Sequence, residues 1–171
     1  SISGENSRNS SSVMSARSRP VSTPRRTALL LALMSSENRA ANALGRHYPG
    51  GMQAFVTAMN KKARALGMLD SHFEDPTGLT SHNVSTAFDL ARMVAAAHAY
   101  PVIRDLTTNT ETTINIDGHE LTYRNTNPLV RSTTWNVGLS KTGYISEAGR
   151  CLVMQARVAD HLAVAHGQAL G

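Results

Sequence analysis

The 171-residue sequence predicts an α+β domain in which helices pack on an antiparallel sheet. Three observations carry that prediction. Up to about residue 106 the apolar residues recur at helical spacing. After about residue 106 they alternate, as in strands. Between two alternating runs, Asp117-Gly118 supplies the chemistry of a two-residue hairpin turn. A chain of this length is by default one domain and can bury a core. Residues 23–171 are assigned to that domain. Residues 1–22 hold nine serines, several arginines and no apolar periodicity, so they read as a disordered head.

The elements follow in order. Thr23-Pro24 has the form of a helix start, an N-cap followed by proline at the first helical position. Ala28 to Met34 is apolar all round, as for a buried helix. Arg25-Arg26, that apolar run and Ala41-Asn42-Ala43 could also form a secretory signal, but the apolar stretch is at the short limit and a core helix is preferred. A second short helix runs from Asn38 to Tyr48 and closes at Pro49-Gly50-Gly51. A third places Met52, Phe55, Val56, Met59 and Leu66 on one face and stops at Gly67. Asp75-Pro76-Thr77-Gly78-Leu79 is a turn. Thr86 to Asp89 resembles a capping box, with aspartate in place of glutamate. It opens a helix presenting Leu90, Met93, Val94 and Ala97 that ends at Tyr100-Pro101.

Thr112, Ile114 and Ile116 then alternate, and Leu121 and Tyr123 return after the turn. Trp135, Val137 and Leu139 alternate in a further strand. Arg150–Val158 and a short Leu162–Ala165 strand complete the sheet, with Glu147-Ala148-Gly149 joining the first two of these three as an antiparallel pair.

Composition excludes some functions. The net charge is +5, and 14 of the 17 basic residues are arginine. That suits a solvated basic surface or attraction to an anionic polymer. Aromatics are only 5% of residues and no basic run is interleaved with them, so nucleic-acid binding is not expected. No apolar run reaches a membrane-spanning length. Cys151 is the only cysteine and lies in an apolar run, where a buried, inert thiol is expected. The seven histidines show no metal-binding spacing, and neither metal nor other cofactor is expected.

Two short motifs carry chemistry. Lys141-Thr142-Gly143 lies on the Trp135 strand. It offers a fixed positive charge, a hydroxyl donor and a residue that lets a ligand lie against the backbone. Ser36-Glu37-Asn38 precedes it by about a hundred residues. Taken singly, each has a plain structural use. Ser36 and Asn38 could cap a helix, Lys141 could protect a strand edge, and Glu37 is expected to be solvated.

Taken together, in the order Ser-x-Asn then Lys-Thr-Gly, they are two parts of a three-part set whose first member is Ser-x-x-Lys. Leu33-Met34-Ser35-Ser36-Glu37-Asn38-Arg39-Ala40-Ala41 resembles the second motif of the low-molecular-mass penicillin-binding proteins, the serine D-alanyl-D-alanine peptidases. The similarity is greatest to their endopeptidase branch. His47-Tyr48-Pro49-Gly50-Gly51, Ala65-Leu66-Gly67-Met68, Pro76-Thr77-Gly78-Leu79, His82-Asn83-Val84-Ser85-Thr86, Arg124-Asn125-Thr126-Asn127 and Trp135-Asn136-Val137 extend the resemblance over roughly residues 24 to 158.

The resemblance implies a partial penicillin-binding-protein or β-lactamase-like fold. It implies a serine acyl-enzyme mechanism on peptidoglycan stem peptides, with β-lactams as further ligands and a periplasmic location. By the same resemblance Ser36 relays a proton to the leaving amine. Asn38 orients the substrate, and Lys141 sets the electrostatics and, with Thr142, holds an anionic end. Gly143 lets the substrate backbone lie along the strand, and Tyr144 lends its backbone N–H to an oxyanion hole.

One part of the pattern is missing. The lysines are Lys61, Lys62 and Lys141, and the residues three before them are Ala58, Met59 and Gly138, so Ser-x-x-Lys occurs nowhere. Ser35 and Ser140 adjoin the motifs, and Lys141 could act as a base for a nearby serine, but nothing in the spacing demands it. The expectation is therefore a fragment of a DD-peptidase with a foreign head and a shortened tail, unable to acylate alone. A frameshift or wrong start upstream of Thr23 would explain the head. The alternative is a non-catalytic remnant that binds stem peptide or β-lactam. A third reading, a signal cut after Ala43 before an unrelated domain, is weaker. Loss of neighbouring strands would expose a long sheet edge, so self-association is expected.

Overall fold

The computed structural model describes residues 24–116, 118–158 and 161–169, with Val158 and the last stretch described by backbone alone. The head predicted at 1–22 lies outside the described residues, as does the expected cap at Thr23. Five α-helices precede the main sheet: α1 (Pro24–Met34), α2 (Asn38–Arg46), α3 (Gly51–Ala65), α4 (Ala87–His98) and α5 (Pro101–Thr108). Strands β1 (Glu111–Ile116) and β2 (His119–Arg124) form a separate hairpin. A 3-10 turn at Pro128–Arg131 leads to β3 (Asn136–Ile145), β4 (Gly149–Val158) and β5 (His161–Ala169). These three form an antiparallel sheet in the order β3-β4-β5.

The helices cover the sheet. α5 lies against β3, α4 against β4 and β5, α1 against α5, and α2 against α1. Leu31, Met34, Val94 and Leu106 from the helices are buried, as are Leu139, Met154 and Ala156 from the sheet. Each such large side chain contributes roughly 1.5–3 kcal/mol through removal from water. Met68, 1% exposed, joins this core from the turn after α3, where Gly67 takes the left-handed backbone (φ 76°) that ends the helix. The β1–β2 hairpin has the predicted register, Ile116 opposite His119, and Gly118 takes φ 85°.

Several expectations need correction. α4 ends at His98, close to the expected end at Tyr100-Pro101, but a helix that was not singled out follows directly. Pro101 occupies the first position of a further helix, α5, where its missing N–H costs nothing. Trp135 precedes β3 and is 42% exposed. Its alternation with Val137 and Leu139 breaks at a β-bulge, where the register against β4 shifts between Val137 and Leu139. Gly138 occupies that bulge, and a Cβ there would lie 2.1 Å from the Gln155 Oε1. After the bulge, Leu139 and Ser140 are both buried.

Thr86 caps α4 by accepting from the Asp89 N–H, but Asp89 does not reach back to complete a capping box. Its buried carboxylate instead accepts from the Asp70 N–H, the Ser71 hydroxyl and Arg92. Burial pushes this carboxyl up, and those hydrogen bonds outweigh it, so it sits below the ordinary range. β5 is longer than the predicted Leu162–Ala165. Cys151 is half-buried rather than buried, with its sulfur directed at the Ala148 and Gly149 carbonyls of the β3–β4 turn.

Candidate functional site

The site forms where the chain leaves α1 and meets β3. At the end of α1 the Leu31 carbonyl accepts from the N–H groups of both Ser35 and Glu37, at 3.1 Å each, which tightens the chain into a turn. Ser36 sits at the apex with φ 53°, the one positive-φ residue other than glycine among the described residues. That backbone costs an L-residue on the order of 1–2 kcal/mol and is kept here by the bonds on either side. Glu37, not Ser36 or Asn38, caps α2. Its carboxylate accepts from the Arg39 N–H at 3.0 Å and pairs with the Arg39 guanidinium at 2.8 Å. Its side chain is only 18% exposed, so the expectation that it is merely solvated is corrected. The Arg39 bonds hold its carboxyl below the ordinary range.

Lys141 comes from β3, opposite Val153 of β4. Its ammonium donates to the Ser36 hydroxyl and to the Thr142 carbonyl. Ser36 Oγ also reaches the Thr142 carbonyl, at 3.5 Å. The two motifs, 105 residues apart in sequence, therefore touch through their reactive groups. No carboxylate pairs with Lys141 among the described residues. Burial disfavours its charge and brings its pKa down from the ordinary 10.5 to about 8. Near neutral pH such an amine can both hold and release a proton, which is what a relay through a neighbouring hydroxyl needs.

A third segment, Arg124–Asn127, clasps the two motifs. Thr126 donates its N–H to the Met34 carbonyl at 3.1 Å, while the Ser35 hydroxyl donates to the Arg124 carbonyl at 3.0 Å. The Thr142 hydroxyl donates to the Thr126 hydroxyl at 2.5 Å. Asn127, 3% exposed, donates from Nδ2 to Ser140 Oγ at 2.8 Å, and its Oδ1 accepts from the Leu129 N–H at 3.0 Å. Asn125 ties the clasp to α5. Its Nδ2 donates to the Thr107 and Asn109 carbonyls at 2.8 Å each, and its Oδ1 accepts from the Asn127 N–H at 2.9 Å.

Of the six predicted site residues, the structure brings Ser36, Lys141 and Thr142 together. Asn38, the first residue of α2, is half-buried and makes no side-chain hydrogen bond to them among the described residues. Gly143 and Tyr144 continue along the edge strand and are exposed, Tyr144 by 69%. A Cβ on Gly143 would meet nothing within 4 Å, so the surface there is open to a ligand. Thr126 and Asn127 were not singled out by sequence reasoning, although Arg124-Asn125-Thr126-Asn127 stood among the matching segments. A groove of about 590 Å³ is lined by residues of α3 and of 72–74, Lys61, Arg64 and His72 among them. None of the six predicted residues lines it, and the candidate site is the hydrogen-bonded cluster of Ser36, Lys141 and Thr142. No group suited to a metal ion occurs among the described residues, and no described helix is long and apolar enough to cross a membrane.

Comparison with known proteins gives one answer. The Peptidase_S11 family model, described as D-alanyl-D-alanine carboxypeptidase, matches residues 1–165. The D-alanyl-D-alanine endopeptidase of Pseudomonas aeruginosa is 52% identical over 136 residues, 78% of this chain and 44% of that protein. That of Escherichia coli is 53% identical over 133 residues, 77% of this chain and 43% of that protein. Among solved structures, a D-alanyl-D-alanine carboxypeptidase of Mycobacterium tuberculosis matches with TM-score 0.76 and 30% identity, over 86% of this chain and 57% of that one. The Streptomyces K15 DD-transpeptidase matches with TM-score 0.74 and 27% identity, over 82% of this chain and 58% of that one. The chain spans less than half the length of these two endopeptidases. It belongs to the D-alanyl-D-alanine carboxypeptidase family, the low-molecular-mass penicillin-binding proteins.

Proposed function

We propose that this chain carries the proton-relay and substrate-anchoring parts of a serine-type D-Ala-D-Ala peptidase, and that it recognises peptidoglycan stem peptides in the periplasm. The observation that carries this reading is the hydrogen bond from the Lys141 ammonium to the Ser36 hydroxyl. Ser36, poised between that ammonium and the Thr142 carbonyl, lies where a proton would pass to a leaving amine in a site that also holds the nucleophile. Lys141 and Thr142 hold the anionic end of the peptide. β3 is an edge strand of its sheet among the described residues, so a peptide backbone can pair along Gly143 and Tyr144. The Tyr144 N–H serves as an oxyanion donor, and Asn38 orients the peptide. These 171 residues contain no Ser-x-x-Lys, so the chain alone binds stem peptide and β-lactam without forming an acyl-enzyme.

Titration with an N-acylated D-Ala-D-Ala peptide tests this. The expected result is saturable binding without release of D-alanine, and a fluorescent penicillin that leaves no covalent label. Turnover or stoichiometric labelling would mean that another nucleophile acts. β5 forms the other edge of the sheet among the described residues. Its sequence, His161 to Ala169, contains no lysine, arginine, aspartate, glutamate or proline. We assign it to pairing with a second copy. Sedimentation should show a concentration-dependent dimer, and a strict monomer at 100 μM (on the order of ten times an ordinary working concentration) would contradict it.

A further inference from the structure

We infer that Thr126 is a positioning residue that sets the direction of the Thr142 hydroxyl, and thereby the preference of this site for a ligand ending in a free carboxylate. The inference rests on the stem-peptide reading and goes beyond it, because Thr126 belongs to neither motif.

The geometry is specific. In the unliganded protein the Thr142 hydroxyl hydrogen is already engaged, since Oγ1 donates to Thr126 Oγ1 at 2.5 Å. The hydrogen of Thr126 is held only weakly, by the Met34 carbonyl at 3.5 Å. The backbone of Thr126 is fixed independently, because its N–H bonds the same carbonyl at 3.1 Å. The Thr126 hydroxyl is thus a stationary group beside Thr142, with a hydrogen that is nearly free to turn.

A carboxylate arriving beside Lys141 draws the Thr142 hydrogen to itself, because a hydrogen bond to an ionised acceptor is roughly twice as strong as one between neutral groups. Thr126 then rotates about its own C–O bond and donates to the oxygen that Thr142 has exposed. No proton leaves either residue. The only bond lost is the 3.5 Å contact to Met34. The bound state gains a chain from Thr126 through Thr142 to the ligand, in which each donor polarises the next. An amide at the same place carries no charge and exerts no such pull. It leaves the pair as it stands.

Two measurements test the proposal. The first needs no ligand. Unfolding of Thr126→Val, Thr142→Val and the double variant is compared with wild type. Non-additive changes are expected, and strictly additive changes would overturn the hydroxyl contact. The second titrates an N-acylated D-Ala-D-Ala peptide, as free acid and as C-terminal amide, into the full chain. Wild type is expected to prefer the acid. Thr126→Val should lose about twofold of affinity for the acid, on the scale of the polarisation that one hydrogen bond lends the next, and nothing for the amide. Thr126→Ser keeps the hydroxyl and should restore the preference. Equal weakening toward both peptides, or none toward either, would overturn the role given to Thr126. Wild type that binds neither peptide would overturn the stem-peptide reading and the carboxylate role with it. Wild type that binds the acid while Thr126→Val leaves the preference intact would overturn this inference alone.

Discussion

Replacing Lys141 with methionine is expected to make the folded protein more stable at neutral pH. Lys141 is an amine withdrawn from water without an opposite charge beside it among the described residues, and burial lowers its pKa to about 8 from 10.5. Below pH 8 both folded and unfolded chains hold the proton, so the whole burial penalty is present. Between about pH 8 and 10.5 the folded protein sheds a proton that the unfolded chain keeps, so wild-type stability rises with pH. Above 10.5 both forms are neutral and the penalty is gone. The full shift corresponds to about 3 kcal/mol. Methionine fills a similar volume but takes a donor from the Ser36 hydroxyl and from the Thr142 carbonyl, which keeps the Ser36 Oγ at 3.5 Å, at about 1 kcal/mol together. A net gain of about 2 kcal/mol at pH 7 is expected, shrinking to nothing or reversing by pH 10.5. Chemical denaturation at a series of pH values measures it. A wild type with flat stability from pH 8 to 10, or a Lys141→Met variant that is less stable at pH 7, would show that the ammonium is paired or hydrated. A destabilising charge kept at the proposed binding site is the pattern expected where function opposes stability.

Replacing Asn125 with alanine is expected to cost about 3 kcal/mol and to loosen the site without touching it. The Asn125 amide gives its two N–H groups to the Thr107 and Asn109 carbonyls and accepts from the Asn127 N–H. Asn125 is 7% exposed, so water cannot readily replace those bonds. Three backbone groups lose a partner at once, each at about 1 kcal/mol or more. The clasp then loses its anchor on α5, while Thr126 still bridges Met34 and Thr142. A fall in the denaturation midpoint, with faster amide exchange at Thr126 and Asn127, would bear this out. A loss under 1 kcal/mol (about that of a single exposed hydrogen bond) would mean that the segment is held by packing instead.

Much of the fold was legible because its signals are local. The hairpin turn at Gly118, the stop at Gly67 and the apolar face of α4 each depend on a few neighbouring residues. α5 was not legible, because Tyr100-Pro101 ends one helix pattern and opens another with the same residues. A proline at a helix start and one after a helix end look alike until the following turn is seen. The strand phase around Trp135 was misread because a bulge at Gly138 resets the alternation. Ser36, Lys141 and Thr142 were legible only through the resemblance, since singly each had a structural explanation. Thr126 and Asn127 escaped because their partners, Met34, Thr142 and Ser140, are distant in sequence. Spacing carries no information about a contact of that kind. Glu37 was misjudged because the left-handed turn at Ser36 shifts the cap of α2 one residue past the serine.

The central claim is that the Ser36 hydroxyl and the Lys141 ammonium form one pocket that reads the end of a D-Ala-D-Ala peptide. Calorimetric titration of the N-acylated D,D-dipeptide and its L,L-isomer, into wild type and into Lys141→Met, tests it most directly. The account predicts saturable binding of the D,D-peptide alone, weakened at least tenfold (about 1.4 kcal/mol) in the variant. Equal affinity for both isomers, or binding indifferent to Lys141, would contradict it.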